Sequence, residues 1–268
     1  MKQSIEIMRE RIINILSNNN PSIYLYGSIV LNDFKFGWSD IDILCLTKTK
    51  ISEVQADQLL NLRQELLREY KDNLYFRSFE GGFLSINSFI NNEEDRVVYW
   101  GTSGERIIDK YNFDPFSMIE LIENGDLIYG NEVRERLTYP SKVEIIKAVQ
   151  NHYEIIRKYA VNTNRSLYSA GWLLDIARCI YTIKTGKVIS KTEAGKWALD
   201  NNLVPDAVIM KRVIAIRKEP YKYRNDNETM NWMESLGEYV QRFADVLERE
   251  IVNFNTQFIM MEDLKYEK

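Results

Sequence analysis

The chain has 268 residues, of which 45% are hydrophobic, and this length and composition allow one large globular domain or two small ones. A net charge of −4 at pH 7 argues against a protein that coats nucleic acid, so we expect no nucleic-acid partner. Two cysteines and one histidine are too few for a disulfide scaffold or a histidine-rich zinc site. No segment reaches the apolar length of a signal peptide or a membrane-spanning helix, so we expect a cytoplasmic protein without a membrane partner.

The first half of the chain alternates helical and extended patterns. Apolar residues at helical spacing predict a helix over residues 5–16, and the Asn-Pro step at Asn20 and Pro21 marks its end. Runs rich in Ile, Tyr, Phe and Leu predict strands at residues 22–26, 40–47, 73–80, 83–89 and 96–100. Residues 52–70 have a helical composition. This half therefore predicts a mixed β-sheet with helices.

The second half carries only helical patterns. Apolar stripes predict helices over residues 141–160, 166–184, 191–201, 206–217 and 227–254. The pattern changes at Tyr139-Pro140, so we expect two domains with bounds 1–140 and 141–268. The predicted fold class is α+β, with a mixed β-sheet domain followed by an all-helical bundle.

The strand at residues 22–26 ends in Gly27-Ser28, a step that suits close approach to a phosphate. Gly27 has no side chain to obstruct a ligand, and Ser28 offers a hydroxyl and a backbone N–H at the start of an expected helix, where anions are favoured. Asp40 and Asp42 are two residues apart on the next predicted strand, so their side chains point to one face. Adjacent carboxylates repel each other unless a cation lies between them, and Mg²⁺ with nucleotide phosphates suits such a pair. Each motif alone is common in solvated strand ends, but their combination indicates a nucleotide and magnesium site.

The segment from Gly27-Ser28 to Asp40-Ile41-Asp42 resembles the signature of the DNA polymerase β-like nucleotidyltransferase superfamily. Within that superfamily, the chain resembles the aminoglycoside nucleotidyltransferases, particularly the streptomycin/spectinomycin adenylyltransferase branch. The further segments that carry this resemblance are Asp114-Pro115, Leu127-Ile128-Tyr129-Gly130, Ile176-Ala177-Arg178, Thr185-Gly186-Lys187-Val188-Ile189-Ser190-Lys191 and Ala194-Gly195-Lys196-Trp197-Ala198. The resemblance implies a nucleotidyltransferase domain over residues 1–140 and a helical substrate- and nucleotide-binding domain over residues 141–268.

The resemblance also implies an activity. The enzyme would move AMP, or another nucleoside monophosphate, from a nucleoside triphosphate such as ATP to a hydroxyl of an aminoglycoside-type antibiotic, with release of pyrophosphate. Asp40 and Asp42 would hold Mg²⁺ as metal ligands and act in catalysis. Gly27 and Ser28 would bind the nucleotide together with them.

A third carboxylate is expected in this superfamily, as general base on the acceptor hydroxyl. Glu80 is the one acid in the segment expected to carry it, and the alternative is a surface glutamate before a turn at the two following glycines. The basic and aromatic segment at residues 217–224 is similar to the region of the family that lies near the nucleotide. Lys218 and Lys222 are therefore candidates for binding the triphosphate, although Lys and Arg are also favoured at a solvated helix C-terminus.

The acceptor is constrained by one departure from the family pattern. Streptomycin-acting relatives carry a tryptophan and often an aspartate at positions where this chain has Ile180 and Thr185. This difference shifts the expected acceptor toward spectinomycin-like or other cationic, hydroxylated antibiotics. Asp175, Glu193 and Asp200 are acids that would attract such a cation, or that lie on solvated helix faces. The alternative functions are transfer to a protein, an RNA or a lincosamide, or a non-catalytic nucleotide-binding homologue.

Overall fold

The computed structural model describes residues 1–101 and 104–266, with side chains described through residue 256. The chain divides into two compact units. The sheet unit consists of Met1–Phe34 and Ser39–Tyr139, and the helical unit consists of Lys35–Trp38 and Pro140–Lys268. An N-terminal mixed sheet with helices and a C-terminal helical region confirm the predicted α+β class.

The sheet unit is built on a six-stranded sheet with the strand order β5-β4-β3-β2-β1-β6. Its strands are β1 (Ser22–Tyr26), β2 (Ile41–Thr47), β3 (Phe79–Ser85), β4 (Val97–Gly101), β5 (Gly104–Ile108) and β6 (Asp126–Tyr129). Its helices are α1 (Lys2–Leu16), α2 (Glu53–Glu69), α3 (Ile86–Asn91) and α4 (Pro115–Asn124). Strands β2 and β3 are parallel, and the other neighbours are antiparallel.

Both faces of this sheet are buried under apolar side chains. On one face, Ile41 and Ile43 of β2 pack in a cluster with Phe79 and with residues of α1 and α2. On the other face, Leu44 of β2 and Leu84 of β3 pack in a second cluster. Because successive side chains of a strand point to opposite faces, the even-numbered residues of β2 and β3 all lie on this second face. Asp42 and Glu80 are among those even-numbered residues.

Side-chain caps explain where two long helices begin. At α2, Ser52 Oγ accepts a hydrogen bond from the Gln55 N–H at 3.2 Å, and the Gln55 side chain accepts one from the Ser52 N–H at 3.1 Å. Ser141 and Glu144 form the same reciprocal pair at the start of the helix that begins at Lys142. This capping box satisfies backbone N–H groups at the first turn, and it lies at the starts predicted for both helices, residues 52 and 141.

Two predicted strands, 73–80 and 83–89, are wrong in their bounds. Leu74–Arg77 is a 3-10 helix, and the strand runs from Phe79 to Ser85 instead. Residues beyond Ser85 form helix α3, because the Ser85 side chain caps its first turn.

The glycines at positions 81 and 82 lie inside β3 rather than in a turn. A Cβ at Gly81 would lie 1.8 Å from the carbonyl oxygen of Ile43, and a Cβ at Gly82 would lie 2.8 Å from the ring of Tyr111. The glycines therefore allow close packing of β3 against its neighbours, which sequence patterns read as a chain break.

Two edge strands, β5 and β6, were not predicted from the sequence. Strand β6 has only four residues, and β5 carries Glu105 and Arg106 in its centre. Strand β6 pairs with β1, and β5 pairs with β4. These pairings depend on contacts across the sheet rather than on a local apolar pattern.

The helical unit follows from residue 140. Its helices are α5 (Lys142–Tyr159), α6 (Leu167–Thr185), α7 (Lys191–Asp200), α8 (Ala207–Lys218), α9 (Pro220–Tyr223), α10 (Asn227–Glu234) and α11 (Gly237–Tyr266). The four predicted helices from 141 to 217 are confirmed. The prediction of a single helix at 227–254 is wrong, because the helix is interrupted between α10 and α11. Ser235 closes α10 through a hydroxyl bond to the Trp232 carbonyl at 2.7 Å, and a Cβ at Gly237 would lie 2.1 Å from the Val161 carbonyl oxygen.

The segment Lys35–Trp38 packs in the helical unit although it precedes β2 in sequence. The ring of Phe36 stacks on Tyr221 with 6.1 Å between centroids, and the Arg217 guanidinium lies 5.1 Å from the centre of the Trp38 ring. The guanidinium of Arg224 lies 4.2 Å from the centre of the Tyr221 ring. We call Phe36, Trp38, Arg217, Tyr221 and Arg224 the aromatic clasp. Only 3% of Arg217 is exposed, so its charge is held under the tryptophan ring.

Both cysteines are buried free thiols. In the part of the chain that the structure describes, no helix is both long and apolar enough to cross a membrane.

Candidate active site

The first element of the candidate site is the turn after β1. Gly27 adopts a φ of 70° and opens a 3-10 turn, Gly27–Ile29. The helix expected after Ser28 is wrong, because Asn32 adopts a φ of 54° and left-handed backbone stops helix growth. Ser28 Oγ donates to the Asp40 carbonyl oxygen at 3.5 Å, which ties the turn to the entry of β2.

Gly27 lies directly against the carboxylate of Asp42. The register of β1 and β2 pairs Tyr26 with Asp42, so the next residue of the turn passes beside that side chain. A Cβ at Gly27 would lie 2.1 Å from Asp42 Oδ2, and the residue is buried. Glycine is therefore required here both by the positive φ and by the space that the carboxylate takes.

Two of the three predicted acids occupy paired positions on parallel strands. Asp42 of β2 is the register partner of Glu80 of β3, and both side chains lie on the same face of the sheet. Asp40 lies one residue before β2, at the bond with Ser28. All three acids are partly buried. The structure thus brings Asp42 and Glu80 together and puts Asp40 at the adjoining strand entry.

The donor set fits a magnesium ion that a nucleotide helps to bind. Among the described residues, no group of three or more His, Cys, Asp or Glu side chains is arranged to hold a metal ion. Mg²⁺ is usually bound by one or two carboxylates together with substrate phosphates and water. Asp40 and Asp42 offer hard oxygen ligands of that kind, with Asp42 Oδ2 in the space that a side chain at position 27 would fill.

Three tyrosines that the sequence patterns do not predict as site residues surround these carboxylates. Tyr99 of β4 donates a hydrogen bond to Glu80 Oε1, and the hydroxyls of Tyr26 and Tyr111 lie 3.4 Å apart. Burial raises the pKa of all three phenols, and the negative charge of a nearby carboxylate raises it further. The hydroxyls therefore stay protonated at neutral pH and can act as donors.

Glycines next to the rings are the sequence signal for two of these tyrosines, Tyr111 and Tyr99. A Cβ at Gly82 would lie 2.8 Å from the Tyr111 ring, and a Cβ at Gly101 would lie 2.4 Å from Cε1 of Tyr99. A glycine within a strand often marks a close approach by another group. The identity of that group depends on the fold, so the sequence alone shows only the position.

Lys218 and Lys222 lie in the helical unit. Lys218 ends α8 and is exposed, and Lys222 lies in α9 with Nζ 3.8 Å from Glu219 and 5.3 Å from the centre of the Tyr223 ring. The segment 217–224 is largely helical, because α8 runs to Lys218 and Pro220 opens a new helical turn. Both ammonium groups lie at the surface of this unit.

Asp175 is a half-buried, paired acid rather than a solvated one. Its carboxylate lies 2.9 Å from Lys191 Nζ and 3.6 Å from the Arg178 guanidinium. Burial raises the pKa of this carboxyl, but Lys191 and Arg178 outweigh burial and hold the pKa below its ordinary value. The charge of Asp175 is therefore already balanced inside the helical unit.

Comparison with known proteins divides the chain in a similar way. Residues 5–97 match the family model of the nucleotidyltransferase domain, and residues 140–250 match that of the aminoglycoside adenylyltransferase C-terminal domain. A solved structure of spectinomycin adenyltransferase AAD(9) from Enterococcus faecialis, with ATP and spectinomycin, is similar with a TM-score of 0.63. The identity is 17%, over 92% of this chain and 99% of that chain, so this likeness concerns the fold. Among curated proteins, none matches the chain significantly.

Proposed function

The chain belongs to the aminoglycoside nucleotidyltransferases of the DNA polymerase β-like superfamily, and from this premise we propose that it moves AMP from ATP to a hydroxyl of an aminoglycoside-type antibiotic. The observation that carries the proposal is the packing of the Asp42 carboxylate against Gly27, with Glu80 at the paired position of the next strand. A carboxylate packed against a glycine turn, with a second acid at the paired position of the next strand, suits phosphoryl transfer.

In this proposal, the acceptor hydroxyl oxygen attacks the α-phosphorus of ATP in line with the bond to the departing pyrophosphate. Glu80 takes the proton of that hydroxyl, and pyrophosphate leaves with the electron pair of the broken P–O bond. Mg²⁺ held by Asp40 and Asp42 would supply charge stabilisation at the phosphate oxygens. Gly27 leaves room for the Asp42 carboxylate at the turn, and Ser28 contributes a donor beside the phosphates.

We assign the nucleotide chemistry to the domain at residues 1–140, and binding of the acceptor and of the triphosphate to the helical domain at residues 141–268. Lys218 and Lys222 support the second assignment because both are exposed ammonium groups that can meet phosphate charge.

The acceptor that we propose is spectinomycin-like. Ile180 is fully buried in α6, and the Thr185 hydroxyl donates a hydrogen bond to the Tyr181 carbonyl at 2.8 Å. Neither side chain can therefore take the role of the tryptophan or the aspartate that streptomycin-acting relatives carry at these positions. The similar AAD(9) structure contains spectinomycin, which supports the same class of acceptor.

The test is pyrophosphate release with ATP and magnesium in the presence of spectinomycin, streptomycin, kanamycin, lincomycin or no acceptor. We expect release with spectinomycin, lost in Asp42→Asn and kept in Asp57→Asn, an isosteric change at an exposed position of α2. Release that survives in Asp42→Asn would contradict the metal assignment. If no member of the panel gives release with any nucleoside triphosphate, the antibiotic is the wrong acceptor, and a macromolecular acceptor or a non-catalytic role takes its place.

A further inference from the structure

The hydroxyl of Tyr99 reaches Glu80 from the neighbouring strand. The register of β3 and β4 pairs Gly82 with Tyr99 and Gly81 with Trp100, so Tyr99 is diagonal to Glu80 on the same face of the sheet. From that position the phenol donates a hydrogen bond to Glu80 Oε1. Hydrogen bonds to an ionised carboxylate are among the stronger ones in proteins and fix its orientation.

The ring of Tyr99 is held in place from several sides. A Cβ at Gly101 would lie 2.4 Å from Cε1 and 3.1 Å from the hydroxyl oxygen of Tyr99, so only glycine leaves room for the ring in this orientation. Arg106, the register partner of Tyr99 on β5, lies 4.6 Å over the ring. The ring of Tyr111 faces it with 6.1 Å between centroids. These contacts aim the hydroxyl at Glu80 before any substrate binds.

We propose that Tyr99 is a positioning residue for the reaction, whose hydroxyl holds Oε1 of Glu80 and so directs Oε2 to the acceptor hydroxyl. The inference rests on the proposed function, in which Glu80 is the general base. Burial keeps Tyr99 protonated, because it raises the pKa of the phenol, so the donor is available at the pH of the assay. Tyr99 itself does not exchange a proton with the substrate.

Removal of the hydroxyl in Tyr99→Phe keeps the ring and its contact with Arg106. We expect kcat with spectinomycin to fall by roughly 10- to 100-fold, since a misplaced catalytic group costs up to about that factor, while KM for ATP stays within about threefold. The matched control is Tyr139→Phe, since Tyr139 donates to Glu123 at 3.0 Å on the surface of the same unit. The control should keep the parent kcat.

A double-mutant cycle separates positioning from a structural role. Glu80→Asp retains a carboxylate but is one methylene shorter, so its oxygen withdraws from the Tyr99 hydroxyl. We expect Tyr99→Phe to have little further effect in that background, because the bond it removes is already absent. Equal losses in both backgrounds, or a parent-like kcat for Tyr99→Phe, would overturn the inference.

Two further measurements keep the inference distinct from the proposed function. Glu80→Gln tests the base itself, because an active Glu80→Gln protein sinks the assignment of Glu80 whatever Tyr99 does. A crystal structure of Tyr99→Phe tests positioning without turnover. The expected result is a Glu80 carboxyl that turns away from its parent orientation, and an unmoved carboxyl would refute the role of Tyr99 even if no acceptor is found.

Discussion

Replacing Gly27 with alanine would put a methyl group where the Asp42 carboxylate lies. The new Cβ would be 2.1 Å from Oδ2, and ordinary contact begins at 3.4 Å, so the oxygen has to withdraw by roughly 1.3 Å. A shift of about 1 Å at a group that positions reactants costs on the order of 10²-fold in rate. The φ of 70° adds a backbone penalty of about 1–2 kcal/mol for a residue with a side chain.

A second glycine separates these two effects. Gly186, which caps the end of α6, has a φ of 69°, and no atom lies within 4 Å of its ideal Cβ. Gly186→Ala therefore carries the same backbone penalty without the displaced carboxylate. Both variants should lose roughly 2–4 °C in Tm for each kcal/mol, as measured by thermal unfolding.

The activity assay then isolates the displacement of Asp42. With ATP, magnesium and the active acceptor, Gly186→Ala should keep the parent kcat/KM, while Gly27→Ala should lose about 10²-fold or more. If Gly27→Ala stays within threefold of Gly186→Ala, the close contact between Gly27 and Asp42 does not position the site, and the reasoning fails.

Two other predictions concern stability. The Arg134 hydrogen bonds lower the pKa of Glu132 to about 2, so the stability that this carboxylate contributes is complete above about pH 5 and is lost as the pH falls toward 2. Urea unfolding at a series of pH values should therefore show Glu132→Gln less stable than the parent near pH 7 and equal to it near pH 2, and a constant difference would contradict this. Arg63 is buried, with its guanidinium 2.6 Å from the Gly101 carbonyl and 3.1 Å from Glu105. Arg63→Met should therefore cost about 3–5 kcal/mol, because Glu105 loses its ion-pair partner and keeps only the neutral Gln64 amide. Adding Glu105→Met should recover most of the loss, and a cost under about 1 kcal/mol for the single variant would show that the pair is not needed.

Local sequence patterns are sufficient to predict most of the helices and strands. The β1 strand and the start of α2 follow from β-prone residues before Gly27 and from the capping box at Ser52. The pattern assigns Asp42 to a strand because residues 40–47 are rich in Ile and Leu. These features depend on residues within a few positions of one another, so the sequence contains them.

The neighbourhood of Glu80 depends on residues far away in sequence. The two glycines after Glu80 read as a turn, but they make room for the Ile43 carbonyl and the Tyr111 ring. The bond from Tyr99 to Glu80 spans 19 positions and depends on the register of β3 with β4. Such contacts are set by strand pairing, which a one-dimensional pattern does not encode.

The aromatic clasp has a consequence for exchanging parts between relatives. The helical unit takes Phe36 and Trp38 from a segment more than a hundred positions before Pro140, so a gene fragment that begins at residue 140 lacks two of the rings that cover Arg217 and Tyr221. A chimera that joins the N-terminal half of one family member to the C-terminal half of another at this boundary would pair a foreign loop with the native helical unit. A working chimera therefore has to take residues 35–38 and the helical half from the same parent, although the two segments are far apart in sequence.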